Sequence, residues 1–203
     1  PSTAPRTYSA LQRTIDEKVV NTYAFAAVLG LGAIRNTWIP ALNAVVGAAY
    51  FKARTTVGRS DHLLNLAMPP AHDELEYALP VERAQDAFRF VKDVIERDRM
   101  HVDFIVELRF TAADDAWLSP SGRRHTCWIG AYAAGTKDRA RYFAAVEQQA
   151  LAWDGRPHWG KRFDATGADL RAKYPHWDDF SRLRDRLDPR RTFDNDFLRR
   201  LFG

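Results

Sequence analysis

Between Val102 and Thr111 an apolar side chain stands at every second position: Val102, Phe104, Val106, Leu108 and Phe110, separated by Asp103, Ile105, Glu107, Arg109 and Thr111. A period of two fits a pleated strand with one face toward a core, not a helix, whose faces recur every 3.6 residues. Whatever the chain folds into must therefore contain a sheet. Ser119-Pro120-Ser121-Gly122 supplies a turn, and a second strand is predicted from Thr126 to Ala133. On it Thr126, Trp128, Gly130 and Tyr132 share one face, and Cys127, Ile129, Ala131 and Ala133 the other.

Two further strands and two helices frame this pair. Leu75, Tyr77 and Leu79 alternate with Glu74, Glu76 and Ala78, predicting a strand that ends at Pro80. A helix is predicted from Val81 to Arg97, with Ala84, Phe88, Val91 and Ile95 at helical spacing and Glu82 and Asp86 near its positive end. A second helix runs from Lys137 to Trp153, with Phe143, Val146, Ala150 and Trp153 on one face, and an extended piece follows at Arg156 to Trp159. Strand, helix, strand, strand, helix, strand is the split βαββαβ order, so the class is α+β: an antiparallel sheet covered by helices. Residues 1–53, rich in Ala, Leu and Val and broken by Gly30, Gly32 and Pro40, read as a helical preamble of two or three packed helices. A loop over 54–70 begins the α+β domain of 54–203. In the tail a helical piece is predicted around Trp177 to Arg186, with a stop at Asp188-Pro189.

A chain of 203 residues that is 46% hydrophobic can bury a real core. Acidic residues are interleaved with Lys and Arg, and the net charge of +4 reads as a solvated surface with no nucleic-acid partner. The single cysteine, Cys127, cannot form an internal disulfide, and no Cys/His spacing suggests a metal site. A reducing, cytoplasmic setting is the expectation, with peripheral attachment to a membrane left open. The apolar run from Tyr23 to Ile34 is too short to span a bilayer and reads as a buried or docking helix. Pro1-Ser2-Thr3 has no initiator Met, so the chain reads as part of a longer product.

Glu107 and Arg109, two apart on a strand, emerge on the same face. Together they suit polyhydroxy groups, since a carboxylate accepts from hydroxyls while a guanidinium donates and steadies a developing oxyanion. The plainer reading is a solvent-exposed ion pair, and alternation alone favours it. Gly130 gives up packing inside a strand, either for close approach of a ligand beside Tyr132 or as a bulge next to an ordinary half-buried tyrosine. Pro157-His158-Trp159-Gly160-Lys161 joins a rigid entry, two rings and a cation in one loop able to present Lys161 to an electron-rich ring or an oxyanion. Cys127 reads as packing and not as a nucleophile. No phosphate-binding or dinucleotide-binding glycine fingerprint is present.

Taken in order, His72-Asp-Glu-Leu-Glu-Tyr-Ala-Leu-Pro80, Glu107-Leu-Arg109, Ala112 to Pro120, Arg156-Pro-His-Trp-Gly-Lys161, Leu187-Asp-Pro189 and Phe193 to Gly203 resemble the C-terminal region of the sugar-1,4-lactone oxidase and alditol oxidase group, within vanillyl-alcohol-oxidase-type flavoproteins. The resemblance runs from about Arg54 to the end. It implies a cap domain that covers the isoalloxazine ring of FAD and supplies much of the substrate site. The FAD-binding domain would be a preceding segment or another chain, on which the helical preamble docks. It further implies a small polyhydroxy substrate, oxygen or another electron acceptor, and activity only once the FAD-binding part is present. By the resemblance, Glu107 and Arg109 match the pair that holds substrate hydroxyls, and Lys161 matches the lysine of the loop near flavin and substrate, to which His158 also belongs; Tyr132 is a candidate substrate contact only from its place beside Gly130. Where alditol oxidases have a histidine, the second strand has Gly130, which leaves the base and the substrate open. A bulkier alcohol, tolerated by Trp128 and Tyr132, is one alternative, and a catalytically silent assembly module is another.

Overall fold

The computed structural model describes residues 6–7, 9, 11, 14–50, 56–57, 59–63 and 70–203. They fall into two compact units. One comprises the described residues among 1–72, with 101–104 and 133–139, the other 73–100, 105–132 and 140–203. The loop expected over 54–70 lies mostly outside the described residues.

The first unit is mainly helical. A π-helical stretch, Ile15–Ala24, continues into helix α1, Phe25–Ile34; a 3-10 turn, Asn36–Trp38, then leads to α2, Ile39–Tyr50. Pro40 sits in the first turn of α2, where its missing N–H has no helical partner to lose. Gly32 is where the two helices meet closely, since a Cβ there would come within 3.0 Å of Ile39, itself 2% exposed. Two-residue strands β1, Arg6–Thr7, and β2, Thr56–Val57, pair in parallel, and a short helix α3 spans Ser60–Leu63.

The second unit holds the sheet. Strand β3, Asp73–Pro80, passes through a 3-10 turn into α4, Ala84–Arg97, followed by β4, Val106–Thr111, β5, Thr126–Ala133, α5, Arg139–Ala152, and β6, Arg156–Pro157. The sheet order is β4-β5-β3-β6, antiparallel at both edges, with Val106 opposite Ala131, Thr111 opposite Thr126, and Tyr77 opposite Pro157. The structure is thus the α+β arrangement read from the sequence. Leu79 and Ile129 from the sheet, and Ala87, Val91, Val146 and Ala150 from the helices, line one small interior gap, so α4 and α5 cover a single sheet face. The tail adds α6, Gly167–Leu170, α7, Trp177–Leu187, and α8, Asp196–Phe202.

Three expectations shift in detail. The strand expected from Val102 begins only at Val106, because the preceding backbone bonds elsewhere: Asn43 donates to the Val102 carbonyl at 2.8 Å, and the buried Asp103 carboxylate accepts from the amides of Ala134 and Gly135 at 3.1 and 2.7 Å. Phe110 does not reach the core but is 59% exposed, since β4 is an edge strand. On α4 the buried residues are Ala87, Val91 and Val94, while Phe88 points outward; Phe90 meets Trp153 edge-on at 5.7 Å and sets the rotation of the helix.

Candidate functional site

The sheet face opposite α4 and α5 carries the polar groups. Register places Glu107 opposite Gly130 and Arg109 opposite Trp128, and alternation on β3 adds Glu74 and Glu76. Arg109 does not stand up into solvent. It reaches across β5, its Cζ 5.9 Å from the Trp128 ring centroid, and donates through Nε (3.1 Å) and Nη2 to the same oxygen, Oε1 of Glu76. Glu107 is the more distant carboxylate, with Oε1 3.7 Å from Arg109 Nε. The bond to Glu76 raises the pKa of Arg109 above its already high ordinary value, so the cation is permanent.

Tyr132 donates its hydroxyl to Oε2 of Glu107 at 2.6 Å. Burial first, then that bond, pushes the phenol pKa upward, which makes Tyr132 a fixed donor and not a base. Its ring lies over Gly130, where a Cβ would approach within 3.0 Å of Cε2. The β4/β5 register is unbroken from Val106 to Thr111, so Gly130 is not in a bulge; the space it leaves is used by Tyr132. Trp128 is held by its indole N–H, which donates to Thr111 Oγ1 at 2.9 Å.

The loop after β6 is clamped to β3. The amide of His158 donates to the Glu76 carbonyl at 2.9 Å, and that of Arg162 to the Glu74 carbonyl at 2.8 Å. Trp159 anchors the loop by donating to the Leu118 carbonyl at 2.7 Å and by packing with Phe163, Tyr174 and Trp177. His158 Nδ1 accepts from the Gly160 amide at 3.1 Å, which leaves the proton of the neutral ring on Nε2. Its ring meets Trp128 edge-on at 5.7 Å. Lys161 pairs with the Glu74 carboxylate, both side chains about a quarter exposed.

All five residues singled out from the sequence, Glu107, Arg109, Tyr132, His158 and Lys161, are thus tied to this face. Glu74 and Glu76 two apart on β3 set the anchor points of the two cations about 7 Å apart along the strand. These two glutamates were missed. Their signal was present, since both alternate with the apolar residues of β3. Cys127 lies on the helix-covered face, fully buried, and burial raises its thiol to about 11, far from a nucleophile's range. Among the described residues no group of three His, Cys, Asp or Glu could hold a metal ion.

The D-arabinono-1,4-lactone oxidase family model matches residues 2–201. An L-gulono-1,4-lactone dehydrogenase of Mycobacterium tuberculosis is 45% identical over 130 residues, 64% of this chain and 30% of the relative. An alditol oxidase of a Streptomyces species is 40% identical over 132 residues, 62% of this chain and 30% of the relative. An L-gulonolactone oxidase of Mus musculus is 33% identical over 132 residues, covering 63% and 30% respectively. The matched part of the chain spans 30% of the length of each of these relatives.

Proposed function

Because the chain belongs to the D-arabinono-1,4-lactone oxidase family, we propose that it is the substrate-side, C-terminal part of an enzyme that oxidises a sugar lactone, an alditol or a related polyol. Members of this family are FAD-dependent oxidoreductases that act on sugar lactones or alditols. The observation that carries the reading is the convergence of a permanent cation, a tyrosine-oriented carboxylate and a second cation on one sheet face. The FAD-binding domain belongs to a segment outside this chain, and the residues present fit a flavin neighbour. Arg109 is 48% exposed, and its Nη1 has no partner among the described residues. When bound, FAD would accept the hydride from the carbinol carbon.

In this reading the Glu107 carboxylate accepts from substrate hydroxyls, with Tyr132 fixing its orientation. Arg109 Nη1 donates to the carbinol oxygen and steadies the negative charge that builds there as the hydroxyl proton leaves to water and the C–H bond is lost as hydride. Lys161 adds a second positive charge from the clamped loop, and the Nε2–H of His158 is a further donor toward flavin or substrate. Oxygen or another acceptor would then reoxidise the flavin.

The test uses the polypeptide that joins this chain to its preceding segment. It should purify with visible flavin absorbance and be bleached anaerobically by L-gulono-1,4-lactone, D-arabinono-1,4-lactone or xylitol. A colourless product that cannot bind FAD would reject the flavoenzyme reading. Bleaching by aromatic alcohols alone would reject the polyol.

A further inference from the structure

Glu76 is only 2% exposed, yet no step above needs it to touch substrate. It lies on β3, Arg109 on β4, and β5 runs between them, so their pairing forces the guanidinium to lie across the sheet over Trp128. Both donors that Arg109 commits to protein end on Oε1, while Oε2 is buried with no hydrogen-bond partner among the described residues. Desolvating a carboxylate costs more than one ion pair commonly returns. The pair therefore makes better sense as a device that fixes geometry than as a source of stability.

We propose that Glu76 is a positioning residue that holds the Arg109 guanidinium across β5 and away from Glu107, leaving the Glu107 carboxylate to the substrate. Without it, the nearest carboxylate to Arg109 is Glu107, already at 3.7 Å; closing that gap would occupy the acceptor that the hydroxyls need. The consequence for turnover rests on the polyol-oxidising reading, whereas the geometry does not.

Two measurements on the full-length protein separate these. In the first, Arg109→Ala is assayed with added guanidinium ion, with Glu76 intact and with Glu76→Gln. Guanidinium restores turnover only where Glu76 remains to seat it; equal rescue in both backgrounds overturns the proposal. Glu76→Gln alone lowers kcat by about 10- to 100-fold at equal flavin content, the scale expected when a charge-stabilising donor is displaced. In the second, protein labelled with [15N]arginine is examined by NMR, the Arg109 Nε–H being assigned through Arg109→Lys. That proton exchanges slowly with solvent in the wild type and equally slowly in Glu107→Gln, because Glu76 and not Glu107 holds it; rapid exchange in either protein overturns the proposal even if Glu76→Gln does not fold. Should the wild type oxidise no polyol, the functional reading fails, and the exchange measurement still decides what Glu76 does.

Discussion

A side chain's role on this sheet is set by what it pairs with across strands, and Lys161 shows the consequence most directly. Its ammonium is tied to Glu74, and the backbone on either side is bonded to β3. Lys161→Met should therefore keep the far-ultraviolet circular dichroism unchanged while lowering turnover about 100-fold, the usual scale for losing a preorganised charge. Undiminished turnover would remove Lys161 from the site. Cys127 makes the opposite case. Its thiol rises from the ordinary 9.0 to about 11 through burial, so the proton is held more tightly in the folded chain than in the unfolded one. The stability this contributes is fully present below pH 9.0 and is lost as pH climbs toward about 11, where the folded thiol also ionises. Alkylation of the native chain at pH 8 should be slower than that of the denatured chain by at least about 100-fold, following the two-unit loss of thiolate; equal rates would contradict the burial. Alternation and the family resemblance made Glu107, Arg109, Tyr132, His158 and Lys161 legible in the sequence. Glu76 was not legible as the partner of Arg109. A period of two reveals which face a residue takes but not which strand lies beside it, and these two are joined across β5.

At the scale of elements, β3, β5 and α5 follow their sequence patterns because each is fixed by many apolar contacts on one face. Where a polar group intervenes, the pattern misleads. Asp103 falls at an outward position of an alternating run, yet the residue is 6% exposed and its carboxylate takes two backbone amides, which keeps the strand from starting before Val106. Glu147 is a second instance, an acidic residue of α5 at 8% exposure. Its oxygens accept from the amides of Asp164 at 3.0 and 3.1 Å and of Ala165 at 2.7 Å, fastening the segment between β6 and α6 to the helix. No periodicity can announce a partner 17 residues away. Glu147→Ala should destabilise the fold by about 1–3 kcal/mol in urea denaturation, because the buried amide of Ala165 and the part-buried amide of Asp164 lose their acceptor; Glu147→Gln, which keeps one acceptor oxygen, should cost about half as much. A loss below about 0.5 kcal/mol for the alanine variant would show that the segment is held by its aromatic packing instead.

For the molecule as a whole, the apolar side chains of the first unit pose the open problem. Leu11 is 71% exposed, Tyr23 72%, Ile34 75% and Val45 68%, while among the described residues no helix is long and apolar enough to cross a membrane. Scattered exposed apolar residues are ordinary, but a concentration in one helical unit suits a docking surface. With relatives more than three times as long as the matched segment, the covering body proposed here is the FAD-binding segment. The 203-residue chain by itself should then bind an environment-sensitive apolar dye and self-associate at micromolar concentration. The same chain joined to its preceding segment should do neither. Tyr23→Ser combined with Ile34→Asp should suppress dye binding in the isolated chain without lowering its unfolding temperature, since neither side chain contributes to the core. In the joined protein the same pair should weaken flavin retention, because the substitutions place a charge and a cavity where the two parts meet. An isolated chain that stays monomeric and leaves the dye dark would mean that these residues cover nothing. The two substitutions should in that case leave flavin retention untouched as well.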